Sequence, residues 1–293
     1  MRKETVFTGC ATAIVTPFKK DFSIDFDAFG NLIDFQLENG IKTLVVCGTT
    51  GEASTLTDAE QISAIQFAVN KVRGKDVKVI AGAGSNDTPH GVNLSKLAQN
   101  VGADALLHVT PYYNKTSQRG LVEHFKAMAK AVDIPIILYN VPGRTGMTIA
   151  PETYVELSRV PNIVATKEAS GNFSAIAQAM HLCGDNLDFY CGNDDQAIPL
   201  MALGGKGLIS VLSNVRPKES VAMCDAALAG DFAAAAKLQL DLLPLINALF
   251  AEVNPIPVKE ALNLMGYSVG KCRLPLASSM DEAKVAKLKE LLV

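Results

Sequence analysis

The sequence predicts an α/β fold, a (β/α)8 TIM barrel with a small C-terminal helical domain. Three observations carry that reading. Eight short apolar, β-leaning runs alternate with helical patterns up to residue 230. The runs are continuous rather than alternating, as in parallel strands buried on both faces. Chemically useful residues follow the second, fourth, fifth, sixth and seventh runs. A doubly wound open sheet gathers ligand groups from only a few strand ends, at its switch point, so a closed barrel fits better.

Taken in order, the strand candidates are Ala11–Val15, Thr43–Val46, Val77–Ala81, Ala105–Val109, Ile136–Tyr139, Ile163–Thr166, Leu187–Cys191 and Gly207–Val211. Asp25 opens the first helix, whose apolar face is Phe26, Phe29, Ile33 and Leu37. Thr57 and Glu60 form a capping box for the second, with Ile62, Ile65, Val69 and Val72 as its stripe and Gly74 as its stop. A helix from near Ser117 carries Leu121, Phe125, Met128 and Val132. After Gly230 no strand signal remains. Asp231 caps an Ala- and Leu-rich helix that Pro244 is expected to interrupt. Asn254-Pro255 opens another helix through Leu264, and Asp281 to Leu292 reads as the last. The division is therefore a catalytic barrel over 1–230 and a helical domain over 231–293.

Composition sets outer limits. With 48% hydrophobic and 19% charged residues, 293 residues suffice for one large core under an ordinary surface. A net charge of −3 gives nucleic acid or an anionic membrane no electrostatic handle, and no apolar run reaches the length of a membrane span. Met1-Arg2-Lys3 is basic, but Glu4 follows, and the apolar stretch Ala11 to Phe18 is broken by Thr12, Thr16 and Pro17. It reads as a first strand and not a signal peptide, which makes the expected location cytoplasmic. Six scattered cysteines without a C-x-x-C pair are expected to be reduced, buried and inert. Four unclustered histidines give no metal site.

The strand ends hold the chemistry. Lys167 follows Ile163–Thr166 and precedes Glu168 and a small-residue turn. An ammonium at the lip of a buried strand is partly desolvated, which favours the neutral amine that attacks a carbonyl to form a Schiff base. Taken alone, such a lysine is more often a surface group after a strand. Gly48-Thr49-Thr50-Gly51-Glu52 follows the second strand; its glycines, amides and hydroxyls suit a carboxylate, although the same segment serves as a plain turn. The fourth strand leads into Thr110-Pro111-Tyr112-Tyr113 and the fifth into Tyr139-Asn140-Val141-Pro142-Gly143-Arg144-Thr145-Gly146. The tyrosines are rim packing or proton donors. Arg144 is a carboxylate clamp or a surface ion-pair partner. Cys191-Gly192-Asn193-Asp194-Asp195 offers acids that are better read as a helix cap than as metal ligands.

Together, Gly48–Glu52, the Arg144 segment, Lys167–Asn172 and Cys191–Asp194 resemble the dihydrodipicolinate synthase family of the pyruvate-dependent Schiff-base aldolase superfamily. The likeness extends to Asn254-Pro255-Ile256-Pro257-Val258-Lys259 and Arg273-Leu274-Pro275-Leu276 in the tail. It implies that Lys167 condenses with pyruvate, with no cofactor beyond this covalent Schiff base. Thr49 and Thr50 would hold the pyruvate carboxylate, and Tyr139 would move protons. Thr50, Tyr139 and Tyr113 would form a relay, Tyr113 coming from a neighbouring subunit. Arg144 would bind the carboxylate of L-aspartate 4-semialdehyde, and the main-chain oxygens of Gly192 and Ile209 would line the site. The implied product is 4-hydroxy-tetrahydrodipicolinate, on the route to diaminopimelate and lysine, and the implied assembly is a homotetramer of two tight dimers. Arg144 separates this family from sialic-acid (N-acetylneuraminate) lyases and 2-keto-3-deoxy-sugar aldolases, which usually lack it and are the first alternative. A keto-acid-binding barrel without turnover is the second, and an intact Lys-Tyr-Thr set argues against it.

The resemblance also implies a regulatory lysine site at the tight-dimer interface. Asn86 and Tyr112 match its carboxylate-binding positions. Asp58 stands where lysine-responsive members carry a histidine, and His90 where they carry the glutamate that pairs with the ligand ammonium. An imidazole cannot replace that anion, so weak or absent lysine inhibition is expected.

Overall fold

The computed structural model describes residues 3–276 and 280–292; the basic start at Met1 and Arg2 lies outside them. Eight parallel strands close into a barrel in sequence order, β8 pairing back onto β1. They are β1 (Gly9–Ala13), β2 (Thr43–Val46), β3 (Lys78–Gly82), β4 (Ala105–Val109), β5 (Ile136–Asn140), β6 (Ile163–Glu168), β7 (Asp188–Cys191) and β8 (Gly207–Ser210). The helices outside it are α1 (Phe26–Glu38), α2 (Asp58–Val72), α3 (Thr88–Asn100), α4 (Gln118–Ala129), the short α5 (Pro142–Thr145), α6 (Pro151–Leu157), α7 (Phe173–Cys183), α8 (Ala197–Ala202) and α9 (Pro217–Leu228). Beyond Gly230 follow α10 (Phe232–Leu249), α11 (Ile256–Leu264) and α12 (Glu282–Leu292).

Period-two geometry sorts the strand residues into two cores. Ala11, Ala13, Val45, Ile80, Leu107, Ile137 and Ile209 fill the barrel, while Leu44, Val79, Leu106, Ile136 and Leu208 join the larger layer beneath the helices. At the N-terminal mouth Phe7 stacks on Tyr190 with ring centroids 4.2 Å apart, and the Tyr190 hydroxyl donates to the Phe7 carbonyl at 2.7 Å. These rings help fill that end of the barrel, while in this architecture ligand groups gather at the C-terminal face. Side-chain caps start the helices where the sequence places them. Asp25 accepts from the Ala28 amide, Thr57 and Glu60 form the full capping box, and Ser117 accepts from Gly120.

Three expectations need correction. Pro244 does not interrupt α10, which runs unbroken through it. The carbonyl deprived of its partner belongs to Leu240, 63% exposed, so water replaces the lost hydrogen bond at little cost. The same helix has the length and apolar composition of a membrane span, contrary to the expectation of none; it packs on α8, α9 and α12, and Leu245, Ile246 and Leu249 are among its buried residues. Third, β6 continues past Thr166 through Lys167 and Glu168. The lysine is therefore an inward-facing residue of the strand, not the first residue after it. All six cysteines are buried thiols, and burial pushes Cys191 up to about 12.

Candidate active site

Lys167 is held rather than merely located. It pairs in register with Tyr139 on β5 and Tyr190 on β7, and it is 6% exposed. Its Nζ stands 4.4 Å from the centroid of the Tyr139 ring. Gly192 lies against its stem so closely that a Cβ there would meet Lys167 Cε at 2.9 Å, so no larger residue fits without moving the lysine. Next door, Glu168 faces outward into a polar network. Asn140 Nδ2 donates to both its carboxylate oxygens at 2.9 and 3.1 Å, the Tyr154 hydroxyl donates at 2.7 Å, and the Ser170 amide at 3.0 Å. Burial and this carboxylate push the Tyr154 phenol well above its usual range, so it stays a donor. The network ties β6 to β5 and α6 beside Lys167.

The Gly48–Glu52 segment hangs between two residues in the left-handed region, Cys47 and Glu52, both with φ +56°. Such non-glycine conformations are held only by their surroundings. Gly51 answers one of these constraints, since a Cβ there would meet the Cys47 backbone nitrogen at 3.0 Å. Thr50 is buried and Thr49 exposed, and both line a cavity of about 60 Å³ with Tyr139, Arg144, Lys167 and Gly192. Arg144 is carried by α5, which has Pro142 in its first turn and Gly146 at its C-cap with φ +67°. It also lines a second cavity of about 340 Å³ together with Asp58, His90, Tyr112, Thr49 and Tyr139.

Not every expected residue joins this set. The side chain of Ile209 lies in the barrel core, while the expectation concerned its main-chain oxygen; Val211, two residues on, lines the small cavity. Tyr113 is 94% exposed with φ +71° and lines neither cavity. Asp194 is no helix cap: Ser210 Oγ donates to it at 2.5 Å, and the Val211 and Leu212 amides at 3.0 and 3.1 Å, so it stitches the end of β7 to the end of β8. Burial raises its pKa against these donors. At the second cavity His90 Nε2 lies 2.9 Å from Asp58 Oδ1, and Asn86 Nδ2 donates to the Tyr112 carbonyl at 3.1 Å.

A near-buried lysine facing inward from a closed barrel, with two threonines, a tyrosine and an arginine around it, suits Schiff-base chemistry on an anionic carbonyl substrate. The family model described as the dihydrodipicolinate synthetase family matches residues 6–292. The chain belongs to this family. It is 54% identical over 288 residues to the 4-hydroxy-tetrahydrodipicolinate synthase of Caldicellulosiruptor saccharolyticus, covering 98% of this chain and 97% of that protein. Among solved structures, dihydrodipicolinate synthase from Aquifex aeolicus superposes with a TM-score of 0.95 at 46% identity, over 98% of this chain and 97% of that one. The chloride-inhibited dihydrodipicolinate synthase from Acinetobacter baumannii, solved with pyruvate, gives a TM-score of 0.95 at 41% identity over 98% of each chain.

Two features of this family member are invisible in local sequence. Asn254 Nδ2 donates to Thr50 Oγ1 at 3.0 Å, and the Lys259 ammonium lies 2.9 Å from Glu52 Oε1. Both contacts join the Gly48–Glu52 segment to the chain beyond Gly230, more than two hundred positions away, as the separations of 204 and 207 record. The tail motif from Asn254 to Lys259 is the signal that pointed to them; its residue roles were not legible.

Proposed function

We propose that the chain is the lyase that condenses pyruvate with L-aspartate 4-semialdehyde to give 4-hydroxy-tetrahydrodipicolinate, a step toward diaminopimelate and lysine, in the cytoplasm. The observation that carries this reading is Lys167 inside the barrel mouth with Tyr139, Thr50 and Arg144 on the same small cavity. Lys167 Nζ adds to the keto carbon, and the carbinolamine loses water to become an imine. The phenol of Tyr139 and the hydroxyl of Thr50 move the protons of these steps. A proton leaves the pyruvate methyl group, and the enamine carbon attacks the aldehyde, whose oxygen takes up a proton. The amino group of the semialdehyde then adds to the imine carbon, closing the ring, and Lys167 leaves as the amine, so the one water lost in forming the imine is the net water of the reaction. Thr49 and Thr50 hold the pyruvate carboxylate; no cofactor takes part.

A side-by-side assay of pyruvate with aspartate semialdehyde, N-acetylmannosamine and glyceraldehyde tests the reading, the semialdehyde being the expected substrate. Arg144→Ala should spare pyruvate trapping by borohydride and lower kcat/KM for the semialdehyde by about one to two decades, because a hydrogen bond to a charged group contributes roughly 1.5–3 kcal/mol. Preference for a sugar aldehyde would move the chain to a sister activity. Equal damage to trapping and turnover would show that Arg144 shapes the whole pocket.

Tyr113 supports a shared site. A tyrosine 94% exposed in the single chain has its natural place against a second copy, within a homotetramer of tight dimers. Tyr113→Phe should cut turnover while pyruvate still binds. Mixing inactive Tyr113→Phe and Lys167→Ala subunits should restore activity, since one intact site forms per mixed pair; no recovery would return Tyr113 to its own subunit.

For the regulatory positions Asn86, His90, Tyr112 and Asp58 we expect lysine inhibition only above about a millimolar at neutral pH. The imidazole of His90 already occupies Asp58, and an ammonium deprived of its anion gives up roughly one to two decades of affinity. Half-inhibition well below a millimolar would mean that Asp58 turns to the ligand.

A further inference from the structure

Asn254 reaches the site from outside the barrel. It precedes α11, is 5% exposed, and lines the cavity that holds Lys167. Its Nδ2 donates to Thr50 Oγ1, while its Oδ1 is buried and meets no partner among the described residues. A hydroxyl has one proton and two lone pairs. An amide N–H seated on one lone pair leaves Thr50 its proton and removes one direction from which it can accept.

We propose that Asn254 is a positioning residue for the reaction: it holds the Thr50 hydroxyl as a donor toward the cavity and so fixes the direction in which the Thr50–Tyr139 pair passes protons. The inference rests on the Schiff-base reading of Lys167. That hold on Thr50 disappears when the side chain is cut back to Cβ. Replacing the amide by a carboxylate does more, because a carboxylate only accepts and draws the Thr50 proton away from the relay.

The test compares wild type, Asn254→Ala, Asn254→Asp, Thr50→Val and the double variant Asn254→Ala with Thr50→Val. Three readouts are taken: borohydride trapping of pyruvate, exchange of pyruvate methyl protons in heavy water without aldehyde, and kcat at saturating pyruvate. Asn254→Ala should keep trapping and lose about tenfold in exchange and kcat, the effect of one misdirected hydrogen bond. The isosteric Asn254→Asp should lose more than the truncated variant, the reverse of a packing effect. In the Thr50→Val background Asn254→Ala should cost nothing further, since it acts through Thr50. Additive losses, an Asp variant better than the Ala variant, or unchanged exchange in both would overturn the proposal. If Asn254→Ala does not fold, the Asp variant decides alone, by retained trapping with lost exchange. Wild type that cannot be trapped at all refutes the Lys167 reading instead, so the two failures are told apart.

Discussion

Lys167→Ala is expected to abolish the borohydride-trapped pyruvate adduct and to lower kcat by about three decades or more. The reaction needs a covalent imine to draw electrons from the pyruvate methyl group, and only a neutral amine in the barrel mouth can form it. Lys167 is the one lysine lining the small cavity among the described residues. Its geometry is prepared: Tyr139 under the ammonium at 4.4 Å, Gly192 against the stem, and the Glu168 network on the outer side of the strand. Removing the side chain leaves that scaffold intact, so the variant should unfold at a temperature close to wild type. Intact mass and peptide mapping after trapping give the decisive readout. An adduct on another lysine, or one that survives the substitution, refutes the assignment.

How much of this was legible can be followed through β6. The run Ile163–Thr166 announced a buried strand, and Lys167 was visible as an anomaly at its end. The strand nevertheless extends through Lys167 and Glu168, because both charges are buried on opposite faces, one over the barrel interior and one in a hydrogen-bonded network. Charged residues read locally as loop; Glu168 is satisfied in the strand by Asn140 and Tyr154, and Lys167 by its place in register between Tyr139 and Tyr190. The barrel itself was legible because its signal is local and repeated, and β2 and β4 begin and end where their apolar runs do. Asp194 shows the converse. Its position before a short helix suggested a cap, yet its three donors lie on or just after β8, 16 to 18 positions on. Contacts of this kind leave no periodicity in the chain, so residue type and spacing cannot report them.

The largest stability effect is expected from Lys259→Met. Lys259 and Glu52 form an ion pair at 2.9 Å with side chains 2% and 0% exposed. The ammonium also donates to the Thr16 and Lys271 carbonyls at 3.0 Å each and sits 4.3 Å over the Phe18 ring. Burial lowers the Lys259 pKa, with Glu52 as the main opposing influence, which is the signature of a charge that depends on its partner. Methionine keeps much of the volume and removes the charge. The Glu52 carboxylate then loses its cationic partner and keeps neutral donors, the Arg273 amide 2.9 Å from Oε2 and the Cys272 thiol. Breaking one side of a buried pair costs roughly 3–5 kcal/mol, read as a lower urea midpoint at unchanged m-value. Because the left-handed Glu52 ends the loop of Thr49 and Thr50, its release should also raise the KM for pyruvate more than it lowers kcat. Adding Glu52→Gln should recover part of the stability, since the orphaned charge goes with it. A midpoint and KM both unchanged in Lys259→Met would show that the tail does not hold the carboxylate-binding loop.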